Sequence, residues 1–542
     1  MKGSTPLLLA LLTTMGCHGG AETPSDGGTD GGTGTDGGTD TDGGTDTGTD
    51  GGTDGGTEPP PTTWFQVLGQ AQVHISAACS FLDPVTGSWA DPSWTAVVGW
   101  FNGTATFGAG SATETTSDAE DTDGFLAMVD AEGALAHLVV FGGAGDQRGE
   151  ACAEQEGLVV AGTFSHTVSA TGVQETLTAV SSADVFQFSP QVEGTDWGGT
   201  LQHLVAGQVE SVRFSQGDHP RVFGEFVGEI TVFPGTDNAW SATSGGDLDA
   251  FFARPSAPVL LTGPGRETLR DAFTWTFTAA PTSAGSRLLG SASEGAMLIN
   301  GDTVTSIAHT SGGGDALYAS ASYDLQGEPS EFAFEVEVYG GTGDDEARVV
   351  DLAYGPVYET VLMGTFDSGP AGSTTSWMDV DLVGMGETDV IFWADRSPSI
   401  GSALVFGSPG EDTMLDAGHY QGGTVGSRWI TGGFATGEFT DGAFEAPGLA
   451  PLEHCFTPPS TWVLTFDYDD HYGYTPTWLG LGCGVTVQQL DIDDESDIYS
   501  DGVSYVVANH GAAAWLDLPS WRVIPPEPPE GGTGAFVATW SP

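Results

Sequence analysis

The sequence has almost no lysine. Lys2 is the only one, and 12 basic residues in all stand against 74 acidic ones, for a formal charge of −62 and a pI near 4.1. A surplus of that size opposes any approach to nucleic acid or to an anionic membrane surface, so neither is expected as a partner. Charged residues are 16% of the chain, below the usual ~25%. Beyond the first residues no segment reaches the ~18 apolar positions of a membrane-spanning helix, and none is expected. The signatures of familiar chemistry are missing as well: no His-Glu-x-x-His, no Gly-x-Ser-x-Gly, no P-loop and no Cys-x-x-Cys. No enzymatic activity is expected from what remains. What the chain has in plenty is glycine, 83 of 542 residues, about twice the common share. With 39% hydrophobic residues, the composition is that of a glycine-punctuated β protein with acidic loops.

Residues 1–17 read as a lipoprotein signal peptide. Lys2 supplies the positive start, Leu7 to Leu12 form a short apolar stretch, and Thr14-Met15-Gly16-Cys17 resembles a lipobox. Cys17 is then the lipidated first residue of the mature chain, and His18 in place of Asp after it resembles a lipoprotein passed on to the outer membrane. The expected location is the outer membrane or cell surface of a Gram-negative bacterium. Residues 18–63 are low-complexity Thr-Asp-Gly-Gly sequence closed by Pro59-Pro60-Pro61. Such a segment has nothing to bury and is expected to be a disordered acidic tether.

From residue 64 to 542 three short elements repeat. The first is an apolar strand around a glycine, with marker residues Gly99, Gly162, Gly224, Gly290, Gly364, Gly432 and, as a substitute, Asn509. The second begins at an aspartate roughly 25 residues later, as Asp123, Asp184, Asp249, Asp315 and Asp389, and is degenerate in the last two units. The third is an apolar strand ending in glycine, such as Val140-Phe141-Gly142-Gly143 and Val405-Phe406-Gly407. Six copies of the third element follow their own unit, and the seventh stands at the other end of the domain as Val67-Leu68-Gly69. This circular permutation predicts an all-β fold, a seven-bladed β-propeller closed by pairing of its N- and C-terminal strands, preceded by the disordered Thr/Asp/Gly linker.

The series Phe141-Gly142-Gly143-Ala144-Gly145-Asp146, then Gly157 to Phe164, then Asp184-Val185-Phe186 resembles the bacterial SBBP-type β-propeller repeat, and Val338 to Asp345 and Val405 to Asp412 follow the same run. The resemblance implies a secreted or surface propeller with no assigned activity.

Several residues are candidates for more than folding. The recurring second-element aspartates suit turns, where a carboxylate accepts backbone N–H bonds. The acidic residues after the third element, among them Asp146, Glu267, Asp344, Asp345, Glu411 and Asp412, can gather at one channel mouth. Of these Asp146, Asp344, Asp345 and Asp412 are the candidate ligands for calcium, the one cofactor considered. The tip Asp467, Asp469, Asp470, His471 and Tyr472 is the densest polar-aromatic cluster and a candidate ligand-binding loop. Asp491, Asp493, Asp494, Glu495 and Asp497 resemble an EF-hand loop but lack its central glycine and final glutamate. Cys79, Cys152, Cys455 and Cys483 are even in number in an exported chain, which predicts disulfides. The places of Cys79 and Cys152 in neighbouring units make them one candidate pair, and Cys455 with Cys483 the other. The expected function is a surface-anchored binding or interaction module for a protein or glycan. The alternatives are a glycan-active hydrolase on the same scaffold, or a purely structural envelope protein.

Overall fold

The computed structural model describes residues 65–540, apart from short loops and the longer stretches 82–93, 325–333, 436–459 and 492–503. Residues 1–17 and 18–63, the expected signal peptide and tether, lie outside the described residues. Glu58–Pro542 packs as one compact unit. Its regular elements are all β-strands, and among the described residues there is no helix.

The strand Phe65–Gly69 alternates buried and half-buried side chains, the period of two that one covered face imposes. Trp94–Asn102 and Thr122–Val129 are instead covered on both faces, and their side chains sort by parity into two cores. Val97, Phe101, Phe125, Ala127 and Val129 pack with Phe65, Val67 and Val537. Ala96, Val98, Leu126 and Met128 pack with Val160, Phe186 and Phe188. One sheet is thus clamped between two others, by apolar burial worth roughly 25 cal/mol per Å².

Pairing is antiparallel apart from minor contacts, and the strands form sheets of ten, six, ten, five, four and two. The arrangement is β-propeller-like, as expected, although the pairings do not separate into seven sheets. Both ten-stranded sheets run on through one 19-residue strand. Asp196–Phe214 pairs first with Asp184–Glu193 and then with Val222–Val232. Gly473–Asp491 joins Ser460–Asp469 to Ser504–Leu518 in the same way. The reason is local: where Gly143-Ala144-Gly145-Asp146 breaks one strand from the next, Ala206-Gly207-Gln208-Val209 has no such link, and the ladder continues with only a register shift.

The displaced third element finds its partner. Phe65–Gly69 pairs antiparallel with Gly534–Trp540, Phe65 opposite Val537 and Leu68 opposite Gly534. Thr533 reinforces the seam by accepting the Val73 N–H at 2.8 Å on its hydroxyl. Asn509, the substitute for glycine in the last unit, grips the strand Val73–Phe81 from the side. Its Oδ1 accepts the Ile75 N–H at 2.8 Å and its Nδ2 donates to the Ile75 carbonyl at 3.1 Å.

The marker glycines are close-approach positions. A Cβ on Gly162 would run into the Arg148 carbonyl oxygen, and one on Gly99 into that of His74. The second-element aspartates are turn clamps. Asp184 is fully buried and accepts the Val180 N–H at 2.7 Å, the Ser181 hydroxyl at 2.6 Å and the Gly207 N–H at 3.0 Å. It therefore ties its own hairpin to the middle of the long strand Asp196–Phe214, at the register shift after Gly207. Burial pushes this carboxyl up, but contacts from His203, Ser181, Val180 and Gly207 outweigh it and hold Asp184 below the ordinary carboxylate range. Asp249 repeats the role through Gly245, Thr262 and Gly263.

Candidate functional site: a polar belt on the inner strands

Each unit places one strand ahead of its marker glycine, called its inner strand, and these strands carry an unusual set of side chains. In Val73–Phe81, Gln147–Glu154, the second half of Asp196–Phe214, Thr268–Phe277 and Asp345–Tyr354, one polar residue pairs across to the residue after the marker. The pairs are His74 with Trp100, Arg148 with Thr163, Ser211 with Glu225, Thr268 with Ser291, and Glu346 with Thr365. In four of these strands the register then shifts by one, so Ser76, Glu150, Arg270 and Arg348 drop out of the ladder as bulges. Arg213 stands at the corresponding place without a shift.

The result is a belt of polar groups crossing several sheets. Arg270 is its best-connected member. Its Nη1 donates to Glu225 Oε1 at 2.9 Å and its Nε is ion-paired with Glu346. Glu225 also accepts the Ser211 hydroxyl at 3.1 Å, and Glu346 that of Thr268 at 3.1 Å. Arg213 Nη1 donates to the Arg270 carbonyl at 2.8 Å. Burial works to lower the Arg270 pKa, but Glu346 and Glu225 overcome it and hold the guanidinium above its ordinary value.

At the other end of the belt the groups are stacked rather than paired. The His74 ring lies on Trp100 with centroids 5.2 Å apart and planes 18° from parallel. The Arg148 guanidinium sits 5.1 Å from the centre of the Trp100 ring. His74 Nδ1 is 3.1 Å from Asn509 Nδ2. Burial first, and Arg148 second, push His74 down to about 4, so it is neutral at neutral pH. Burial pushes the Glu150 carboxyl up to about 7, against the pull of Arg148, a hydrogen bond from Thr163 and the charge of Arg213.

The residues singled out from the sequence occupy other places. Cys79 and Cys152 form a disulfide with Cα atoms 6.0 Å apart, joining two inner strands as expected. Cys483 is buried and disulfide-bonded, while Cys455 and Cys17 lie outside the described residues. Asp146 and Asp344 are exposed, and each accepts one backbone N–H, from Thr122 at 3.1 Å and Gly314 at 2.8 Å. Asp345 and Asp412 are buried at strand entrances, and Asp412 is bonded to the Ser408 N–H and hydroxyl at 2.5 and 3.0 Å. The structure does not bring these four together: among the described residues no group of three or more His, Cys, Asp or Glu could hold a metal ion. Asp467 and Asp469 lie on the hairpin strand Ser460–Asp469, and Asp470, His471 and Tyr472 lie outside the described residues. So do Asp493, Asp494, Glu495 and Asp497.

The belt itself was not anticipated. Its signal was present in the scarcity of basic residues: of only 12, Arg148, Arg213 and Arg270 recur on successive inner strands. No known protein family and no curated protein matches this chain.

Proposed function

We propose that residues 64–542 form a seven-bladed β-propeller that serves as an exported, lipid-anchored binding module. Dividing the two ten-stranded sheets at their shared long strands yields four-stranded groups in step with the seven sequence units, the last completed by Phe65–Gly69. The resemblance to SBBP-type repeats belongs to the same reading, as do lipidation at Cys17 and the tether 18–63. A cryo-electron microscopy map viewed down the ring axis tests the blade count, and six or eight blades would overturn it.

The polar belt is the observation that carries the binding role. Desolvating charges costs several kcal/mol per ion, and a buried ion pair often contributes less stability than well-packed apolar residues of the same volume. Stability alone is therefore a weak reason to keep Arg270, Glu225, Glu346, Arg213 and Glu150 where alternating apolar side chains fill the neighbouring strands. A layer of oriented donors, acceptors and aromatic faces on the strands nearest a propeller axis is suited to ligand recognition. The test is an array of surface glycans and envelope proteins probed with the full-length protein and with Arg213→Gln. Binding that weakens in the variant supports the role. Turnover of a glycan would establish the hydrolase instead, and an array without any ligand would favour a structural protein. Loss of membrane fractionation in Cys17→Ser tests the anchor.

A further inference from the structure

Arg148 differs from Arg270 and Arg213. Arg270 is paired with two carboxylates and Arg213 is bonded to a main-chain carbonyl. Arg148 is exposed, and its contact is with a ring: the guanidinium lies against Trp100, which is itself stacked on His74. Among the described residues no carboxylate is ion-paired with it, in a chain that carries 74 acidic side chains. A guanidinium has five N–H donors around its rim and none on its faces. Contact with the ring therefore restrains the side chain while leaving N–H groups for hydrogen bonds, and it reduces the rotamer freedom that a free arginine would lose on binding.

We propose that Arg148, held against Trp100 beside Glu150, is the receptor for the carboxylate of a small anionic ligand. This inference rests on the binding role above and gives it a ligand class. A planar carboxylate matches one planar guanidinium edge through two parallel hydrogen bonds. A phosphate dianion fits less well, because a single free guanidinium must then offset two charges next to Glu150 within a strongly negative protein. The surroundings favour a monoanion. His74 is neutral at neutral pH, and Glu150 takes up a proton near pH 7. The charged groups facing Glu150 are Arg148 on its own strand and Arg213 on the next inner strand, with the Thr163 hydroxyl on the paired strand. When protonated, Glu150 no longer repels an incoming carboxylate and offers it an O–H donor.

Calorimetric titration of the full-length protein with acetate, galacturonate and inorganic phosphate, at pH 6 and pH 8, tests the proposal. Saturable binding of the two carboxylates is expected, at least tenfold weaker in Arg148→Gln and also weaker in Arg148→Lys, which keeps the charge but loses the planar fork. Binding is expected to be tighter at pH 6 than at pH 8, with the difference gone in Glu150→Gln. If galacturonate binds and acetate does not, the sugar contributes and the carboxylate class stands. No saturable carboxylate binding, unchanged binding in a folded Arg148→Gln, or binding of phosphate alone would overturn the proposal. A ligand from the array that binds Arg148→Gln as well as the parent protein would remove this site and leave the wider binding role standing.

Discussion

At the scale of single residues, the protein makes its acidic surplus serve the backbone. Asp184, Asp249, Asp389 and Asp412 are buried carboxylates whose partners are largely the N–H groups and hydroxyls of nearby turns. Asp412 is the extreme case. Burial pushes its carboxyl up to about 8; the Ser408 hydrogen bonds pull it down, and the neighbouring Asp389 adds to the rise. A carboxyl raised in the folded state binds its proton there while the unfolded chain has already lost it. Stability from this group is therefore full below the ordinary carboxylate pKa near 4 and is lost as pH rises towards 8. We expect the melting temperature to fall between pH 5 and pH 8, and to fall less in Asp412→Asn, whose amide keeps an acceptor for Ser408. General relief of the −62 charge affects both proteins alike, so differential scanning fluorimetry of the pair isolates the one group. Equal slopes would show that Asp412 is ionised in the fold.

At the scale of elements, the repeat is a strand pair pressed together at a glycine. The Gly162 backbone lies where any side chain would meet the Arg148 carbonyl, and the same contact recurs at Gly224 with Ser211 and at Gly364 with Glu346. Gly162→Ala is expected to cost about 3 kcal/mol through forced separation of the strands, read as a shift in the urea midpoint. A midpoint unchanged within error would mean that the strands separate without penalty. This is also the scale at which the sequence was most legible. Apolar runs, marker glycines and turn aspartates are local features, and they announced the strands and their order. The polar belt was harder to read because a bulge breaks the period of two. Glu150 and Arg270 sit one residue out of step with their ladders, so alternation along the strand does not show which way they face. The proximity of Arg270 to Glu225 and Glu346, and of Arg148 to Trp100, arises between strands far apart in the chain. The joined ten-stranded sheets were hidden for a related reason: a missing Gly-x-Gly-Asp link leaves the repeat intact in sequence and alters only where one ladder stops.

At the scale of the whole molecule, covalent and hydrogen-bonded seams hold distant parts of the chain together. The Cys79–Cys152 disulfide closes a loop with a sequence separation of 73 residues, for which the chain-entropy relation gives about 4 kcal/mol. Replacing both cysteines with alanine is expected to lower the unfolding free energy by roughly that amount, and a reductant should then have less effect on the double variant than on the parent. The second seam is non-covalent. Removing Phe65–Gly69 would leave the edge of Gly534–Trp540 without one partner and the Phe65 and Val67 positions of the core empty. Size-exclusion chromatography of that deletion is expected to show association through the exposed strand edge. A monomer with unchanged melting would mean that the seam contributes little.

That seam also imposes an order of events. Val73 and Thr533, bonded to each other across it, are 460 residues apart in the chain. The strand Phe65–Gly69 leaves the ribosome more than 400 residues ahead of its partner Gly534–Trp540. Over that interval one edge of the first sheet waits unfilled, a state prone to wrong pairing. The seam can shut only once Gly534–Trp540 has been made, so a product stalled before it carries an open edge that marks it as unfinished.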